Sequence, residues 1–194
     1  GTGLASNYSL NSASLNITQK TVNLSGSKIY EANTTFDNSI VNISSGLIGS
    51  ETLNLTGVVN TNSANVNTYS ASGGTLNGGS TSIALADGTN GGLASNYTIN
   101  DGVFTITKKT ISVSGARLYD ATTDAVASDL TTISGLVGSE TLTLSGSGTL
   151  SDANVADNKT VSLNTLSIAD NTGLAANYTL SGGTHQLTVN QRPL

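Results

Sequence analysis

The chain has 194 residues and a net charge of −5, with only seven Lys and Arg against twelve Asp and Glu. That balance supplies no basic footprint for nucleic acid and nothing to hold an anionic membrane surface. There is no Cys, hence no disulfide and no thiolate metal site, and with six Tyr, two Phe and no Trp the interior must be built from Val, Ile, Leu and Ala.

The first feature along the chain is Gly3-Leu4-Ala5-Ser6-Asn7-Tyr8, which returns at Gly92–Tyr97 and, with Ala for Ser, at Gly173–Tyr178. The spacings are 97 − 8 = 89 and 178 − 97 = 81 residues. A period near this length fits a small complete domain and exceeds a one-hairpin solenoid unit. Next come Leu15 and Ile17, apolar at odd positions, then Val22 and Leu24 at even positions. Tyr30-Glu31-Ala32 and Gly46-Leu47-Ile48-Gly49-Ser50-Glu51 follow, both repeated 89 residues later as Tyr119-Asp120-Ala121 and Gly135–Glu140. Leu53 and Leu55 alternate with polar residues, as do Leu142 and Leu144, Val161 and Leu163, and Tyr178 and Leu180. Period-two alternation of this kind, rich in Thr and Val, predicts strands throughout. Short helical turns are expected only around Asp124–Asp129 and Asp170–Ala175. The eight-residue length difference falls between Val66 and Leu93, a stretch carrying Gly73-Gly74, Gly78-Gly79 and Gly91-Gly92. Surface loops absorb such changes.

The parity of the apolar positions changes at Gln19-Lys20, again at Lys108-Lys109 (Phe104 and Ile106, then Ile111 and Val113) and at Gln191-Arg192. Because strand faces alternate strictly, a parity change exchanges buried and exposed sides. It predicts that the chain leaves one core and enters the next at these points; a bulge within one sheet would give the same change. The expected organisation is residues 1–19 as the closing hairpin of a preceding repeat, 20–108 as a first β module and 109–194 as a second, with almost no linker. The expected fold class is all-β: a tandem of two elongated β-sandwich modules, immunoglobulin-like, with β-grasp-like modules as the alternative.

The boxes Tyr119-Asp120-Ala121-Thr122-Thr123, Gly135-Leu136-Val137-Gly138, Asn154-Val155, Lys159-Thr160-Val161, Leu174–Leu180 and Leu187-Thr188-Val189 resemble, in this order, the YDG repeat of large bacterial haemagglutinin-like, two-partner-secreted adhesins. The Gly of the family's Tyr-Asp-Gly is Ala32 or Ala121 here, a costly replacement if that position has positive φ. The resemblance implies an extracellular β repeat in an adhesin stalk and brings no catalytic residues. The absence of Cys in a Ser-, Thr-, Asn- and Gly-rich chain points the same way, to a bacterial surface protein.

No site residues are assigned: none catalytic, none for a cofactor, none for a metal. His185 is the only histidine and reads as a strand residue. Asp120, Asp124, Asp129, Asp152, Asp157 and Asp170 gather in predicted loops, but Asp124 aligns with Thr35 and Asp152 with Ser63, against a shared calcium site. Nine Asn-X-Ser/Thr sequons exceed chance only slightly, and Asn96 and Asn177, before the repeated Tyr, suit turn chemistry. Gly46–Gly49 and Gly135–Gly138 lack the Lys-Ser/Thr of a phosphate loop and read as turns. One residue of each pair Ile29-Tyr30 and Leu118-Tyr119 should pack inward. Lys109 and Asn177 allow an isopeptide bond without requiring one. The expected partners are neighbouring repeats of the same chain, with polysaccharide or a host surface second. The expected function is a stalk or spacer; the alternative is modules that bind glycan, matrix or host protein by avidity, through residues 69–81.

Overall fold

The computed structural model describes residues 3–72, 75–76 and 79–194. Gly73, Gly74 and Gly78 of the length-variable stretch therefore lie outside the described residues. The first set of strands is β1 (Lys20–Ile29), β2 (Thr35–Asp37), β3 (Val41–Ser45), β4 (Leu53–Thr56), β5 (Val58–Asn60), β6 (Asn67–Ser72), β7 (Thr75–Leu76), β8 (Ser80–Thr81), β9 (Ala84–Asp87) and β10 (Tyr97–Thr107). The second set is β11 (Lys109–Thr110), β12 (Ser112–Leu118), β13 (Asp124–Val126), β14 (Thr132–Ser134), β15 (Leu142–Ser145), β16 (Ser147–Thr149), β17 (Ala156–Thr160), β18 (Ser167–Asp170), β19 (Tyr178–Thr179) and β20 (Gln186–Asn190). Among the described residues the only helices are three single 3-10 turns, at Ala5–Asn7, Ala94–Asn96 and Ala175–Asn177. None is long and apolar enough to cross a membrane. The fold is all-β.

Every strand pairing among the described residues stays within residues 20–107 or within 109–190. The main sheet of the first set has the order β3-β1-β10-β6-β7, and that of the second β14-β12-β20-β17. In both, the first long strand lies parallel to the last: β1 beside β10, β12 beside β20. Their outer neighbours are antiparallel. Immunoglobulin sandwiches are built from antiparallel sheets, so these mixed sheets depart from that first expectation. The physical reason is the return path. Parallel strands need a long crossover, and the intervening residues fold into small antiparallel ribbons, β2-β5-β8 with β4-β9 in the first set and β13-β16 with β15-β18 in the second.

A parallel central pair also decides where the chain enters and leaves. Both strands run the same way, so entry at Lys20 and exit at Thr107 lie at opposite ends of the sheet. A ten-residue strand such as β1 spans roughly 33 Å. Only Lys108 separates β10 from β11.

Burial follows the alternation read in the sequence. Phe104 and Ile106 are both 1% exposed, and so is Ile111 beyond the parity change. Phe36 meets Phe104 edge-on at 5.4 Å in the first set, while Ala125 and Leu187 hold the corresponding places in the second. Full burial of an aromatic side chain stabilises by about 1.5–3 kcal/mol. Apart from Val22 and Tyr97, the buried apolar side chains of both sets form one cluster that continues across the junction, so the parity change does not carry the chain from one separate core into another.

Local differences from the sequence reading are small. Residues 127–129 form a hydrogen-bonded turn with no helix, closed by Asp129 N–H donating to Val126 O at 2.9 Å. The expected turn near Asp170 is the 3-10 turn Ala175–Asn177, whose Ala175 N–H donates to Asp170 Oδ1 at 2.7 Å. Val161 lies just past β17, and Ser162 makes only an isolated bridge to Thr149. Ala32 and Ala121 do sit in the left-handed region, at φ 58° and 66°. A Cβ there strains the backbone by about 1–2 kcal/mol. Ala121→Gly is therefore expected to stabilise the protein by about 0.5–1 kcal/mol. A rise in the urea midpoint at unchanged slope measures it; a fall would mean that the turn does not hold this conformation.

Candidate functional site

Glu140 accepts hydrogen bonds from tyrosines of both strand sets. The Tyr30 hydroxyl donates to its Oε1 at 2.6 Å, and the Tyr178 hydroxyl to its Oε2, also at 2.6 Å. Tyr30 belongs to the first strand set; Glu140 and Tyr178 belong to the second. The two rings meet edge to face, with centroids 5.3 Å apart. Both are almost wholly buried, Tyr30 at 4% and Tyr178 at 1% exposure. The two hydroxyl hydrogen bonds use both carboxylate oxygens as acceptors.

Each member is placed by a repeated sequence box. Gly135 and Gly138 have φ of 90° and 55°, a backbone open to glycine at little cost. This turn brings the Val137 N–H to the Tyr178 oxygen at 3.0 Å and leaves Glu140 beside it. The Gly-X-X-Gly box is thus a turn, as its sequence suggested, and its product is the Tyr–Glu pair. The first set builds the same pair: Glu51 Oε2 accepts from the Tyr97 hydroxyl, and Ile48 N–H donates to the Tyr97 hydroxyl oxygen at 3.2 Å. Tyr30 is placed from the other side. Its N–H donates to Thr107 O at 2.8 Å, fixing the ring at the exit end of β10. The turn after it is held by Lys28, whose Nζ pairs with Glu31 at 3.0 Å and donates to Thr35 O at 2.7 Å. Arg117 repeats the brace, donating to Thr122 O at 2.6 Å and pairing with Asp120. In the pair Ile29-Tyr30 the tyrosine is buried and Ile29 exposed, whereas in Leu118-Tyr119 neither packs inward, contrary to the sequence expectation, because among the described residues no further strand set covers that end.

A second polar contact crosses the same junction. Asn177, 1% exposed, accepts from Val66 N–H at 2.8 Å and donates to Asn65 Oδ1 at 3.0 Å. The side-chain amide of Asn177 is therefore committed to the neighbouring strand set rather than to Lys109, and its sequon is buried.

The other sequence candidates resolve into structural roles. His185 lies one residue before β20 and is 6% exposed. Nδ1 accepts from Val113 N–H at 3.3 Å, so Nε2 carries the proton donated to Leu180 O at 2.8 Å. Asp120 is lowered from the ordinary carboxylate range by the Thr122 N–H and then by Arg117. Asp152 is lowered by Lys159, whose Nζ lies 2.5 Å away, and by the Asn154 N–H. Among the described residues no three His, Cys, Asp or Glu side chains gather as a metal set. The length-variable stretch at 69–81 falls partly outside the described residues.

The arrangement can therefore lock two β units against each other. Sequence reasoning missed it because Glu140 and Tyr178 were read as members of separate boxes. The signal was present: Glu51 and Glu140 share the 89-residue offset, and each pairs with the Tyr of the following Asn-Tyr box.

Comparison with known families finds a YDG domain at residues 102–186. The match begins within β10, crosses the parity change at Lys108-Lys109 and covers the Tyr119, Glu140 and Tyr178 boxes. Neither the comparison with curated proteins nor that with solved structures gave a match.

Burial, and after it the hydrogen bond to Glu140, pushes the hydroxyls of Tyr30 and Tyr178 up to about 12. An unfolded tyrosine ionises near 10. The folded form thus holds its proton more tightly, so the linked stability is complete below pH 10 and lost as pH rises from about 10 to 12. The urea midpoint is expected to fall over that window, and Tyr30→Phe, which has no proton to lose, to reduce the fall. An identical pH profile for Tyr30→Phe would show that the junction is not the source.

Proposed function

We propose that the chain comes from a bacterial cell-surface adhesin. Residues 20–108 and 109–194 act in it as two stalk or spacer modules projecting a distal binding region outward, and residues 1–19 close a preceding module. Within this reading, a mixed sheet centred on a module's own first and last strands favours the β-grasp-like alternative over the immunoglobulin-like one. Support comes from the YDG domain found over the second module and from entry and exit at opposite ends of each main sheet, which suits serial projection. The single observation that carries the reading is the junction. One residue joins β10 to β11, and the Glu140 carboxylate is shared by tyrosines from both sides. A spacer needs to transmit reach without folding back, and buried, hydrogen-bonded contacts across a one-residue connection oppose bending.

Small-angle X-ray scattering tests the reading. Two compact units placed end to end give a maximum dimension of roughly 60–70 Å. Glu140→Ala, which leaves two buried hydroxyls without their acceptor, is expected to broaden the distance distribution while the strand content seen by circular dichroism stays. A particle near the size of one globular domain of this mass would refute the spacer.

A further inference from the structure

The two halves of the junction are also present, unjoined, at the outer ends of the molecule. Tyr119 corresponds to Tyr30 by the constant offset of 89, and its N–H donates to Asn190 O at 2.9 Å, as that of Tyr30 does to Thr107 O. Its surroundings differ: Tyr30 is 4% exposed and Tyr119 37%. Asn154-Val155 corresponds in the same way to Asn65-Val66, and Val155 is 45% exposed. At the other end, Glu51 and Tyr97 form the same bonded pair as Glu140 and Tyr178, yet among the described residues the Glu51 side chain accepts from Tyr97 alone, at Oε2. Asn96, the counterpart of the buried Asn177, is exposed. Beside these residues lies a cavity of about 390 Å³, lined by Gln19, Lys20, Ile48, Glu51, Asn96 and Tyr97 among others. By the repeat alignment, this is the place that Tyr30 fills in the second module.

We propose that these ends are matched docking faces for one another. Tyr119 with Asn154-Val155 seats on Glu51, Asn96 and Tyr97 of a second copy of this chain that follows in the same polypeptide, and reproduces the resident junction. The Tyr119 hydroxyl donates to Glu51 Oε1 and its ring packs edge-on against Tyr97, while Asn96 accepts from the Val155 N–H and donates to Asn154 Oδ1, as Asn177 does with Val66 and Asn65. The contact is heterologous and unclosed, so it propagates along an array. The proposal rests on the junction geometry and holds whether the array spaces or binds.

The test is a tandem chain in which residues 1–191 of one copy run directly into residue 20 of the next. The join then reads Asn190-Gln191-Lys20-Thr21, matching Thr18-Gln19-Lys20-Thr21. Tyr119→Phe in the first copy and Glu51→Gln in the second are combined in a double-mutant cycle on urea unfolding. Residues in direct contact couple by a factor of at least about twofold in the unfolding equilibrium. That coupling is expected in the tandem, with simple additivity when both substitutions sit in the single chain. If the more drastic Tyr119→Ala is well folded, it is expected to couple more strongly. Additivity in the tandem would overturn the docking while leaving the scattering test of the spacer untouched.

Discussion

The structure depends on one carboxylate with two hydroxyl donors that arrive from different strand sets. Removing such an acceptor from a buried donor costs about 1–3 kcal/mol per group, so Glu140 couples Tyr30 to Tyr178 more tightly than their ring contact would alone. The coupling works because neither tyrosine is free to move. Tyr178 is pinned by Val137 N–H, and Tyr30 by Thr107 O and by a turn braced from below by Lys28. That turn requires a left-handed residue, and Ala32 takes this conformation at a cost in backbone strain. A short-range preference is thereby overruled to aim a ring at a partner 110 residues away.

Sheet topology gives the junction its use. Because β1 and β10 run parallel, the chain emerges at the far end of the sheet from where it entered. The next sheet then begins one residue later. Had the two strands paired antiparallel, entry and exit would share one end and consecutive sheets would crowd side by side. The small ribbons between the first and last strands are the crossover that a parallel pair demands. The turns that lead into β4 and β15 also supply Glu51 and Glu140, the acids that Tyr97 and Tyr178 donate to.

Much of this was legible. The repeat offset, the strand periodicity and the sidedness change at Lys108-Lys109 all follow from the spacing of apolar residues, and the side chains at 104, 106, 111 and 113 are buried as that spacing requires. The turn nature of the Gly-X-X-Gly boxes followed from their residue types. Other features were not legible. Local pattern could not say which of Ile29 and Tyr30 faces inward, because a strand end next to a junction has no simple inside. Nor could it separate Asn96 from Asn177, or Tyr119 from Tyr30, since members of each pair have nearly the same neighbours in sequence and opposite exposure in the fold.

The sequence by itself determined that the protein is a β repeat and where its register changes, because side-chain alternation is a local property of an extended backbone. Tertiary structure alone decided that the first and last strands pair in parallel and that Glu140 is shared between two tyrosines. Both depend on which distant segments meet, and a period of two carries no information about the partner.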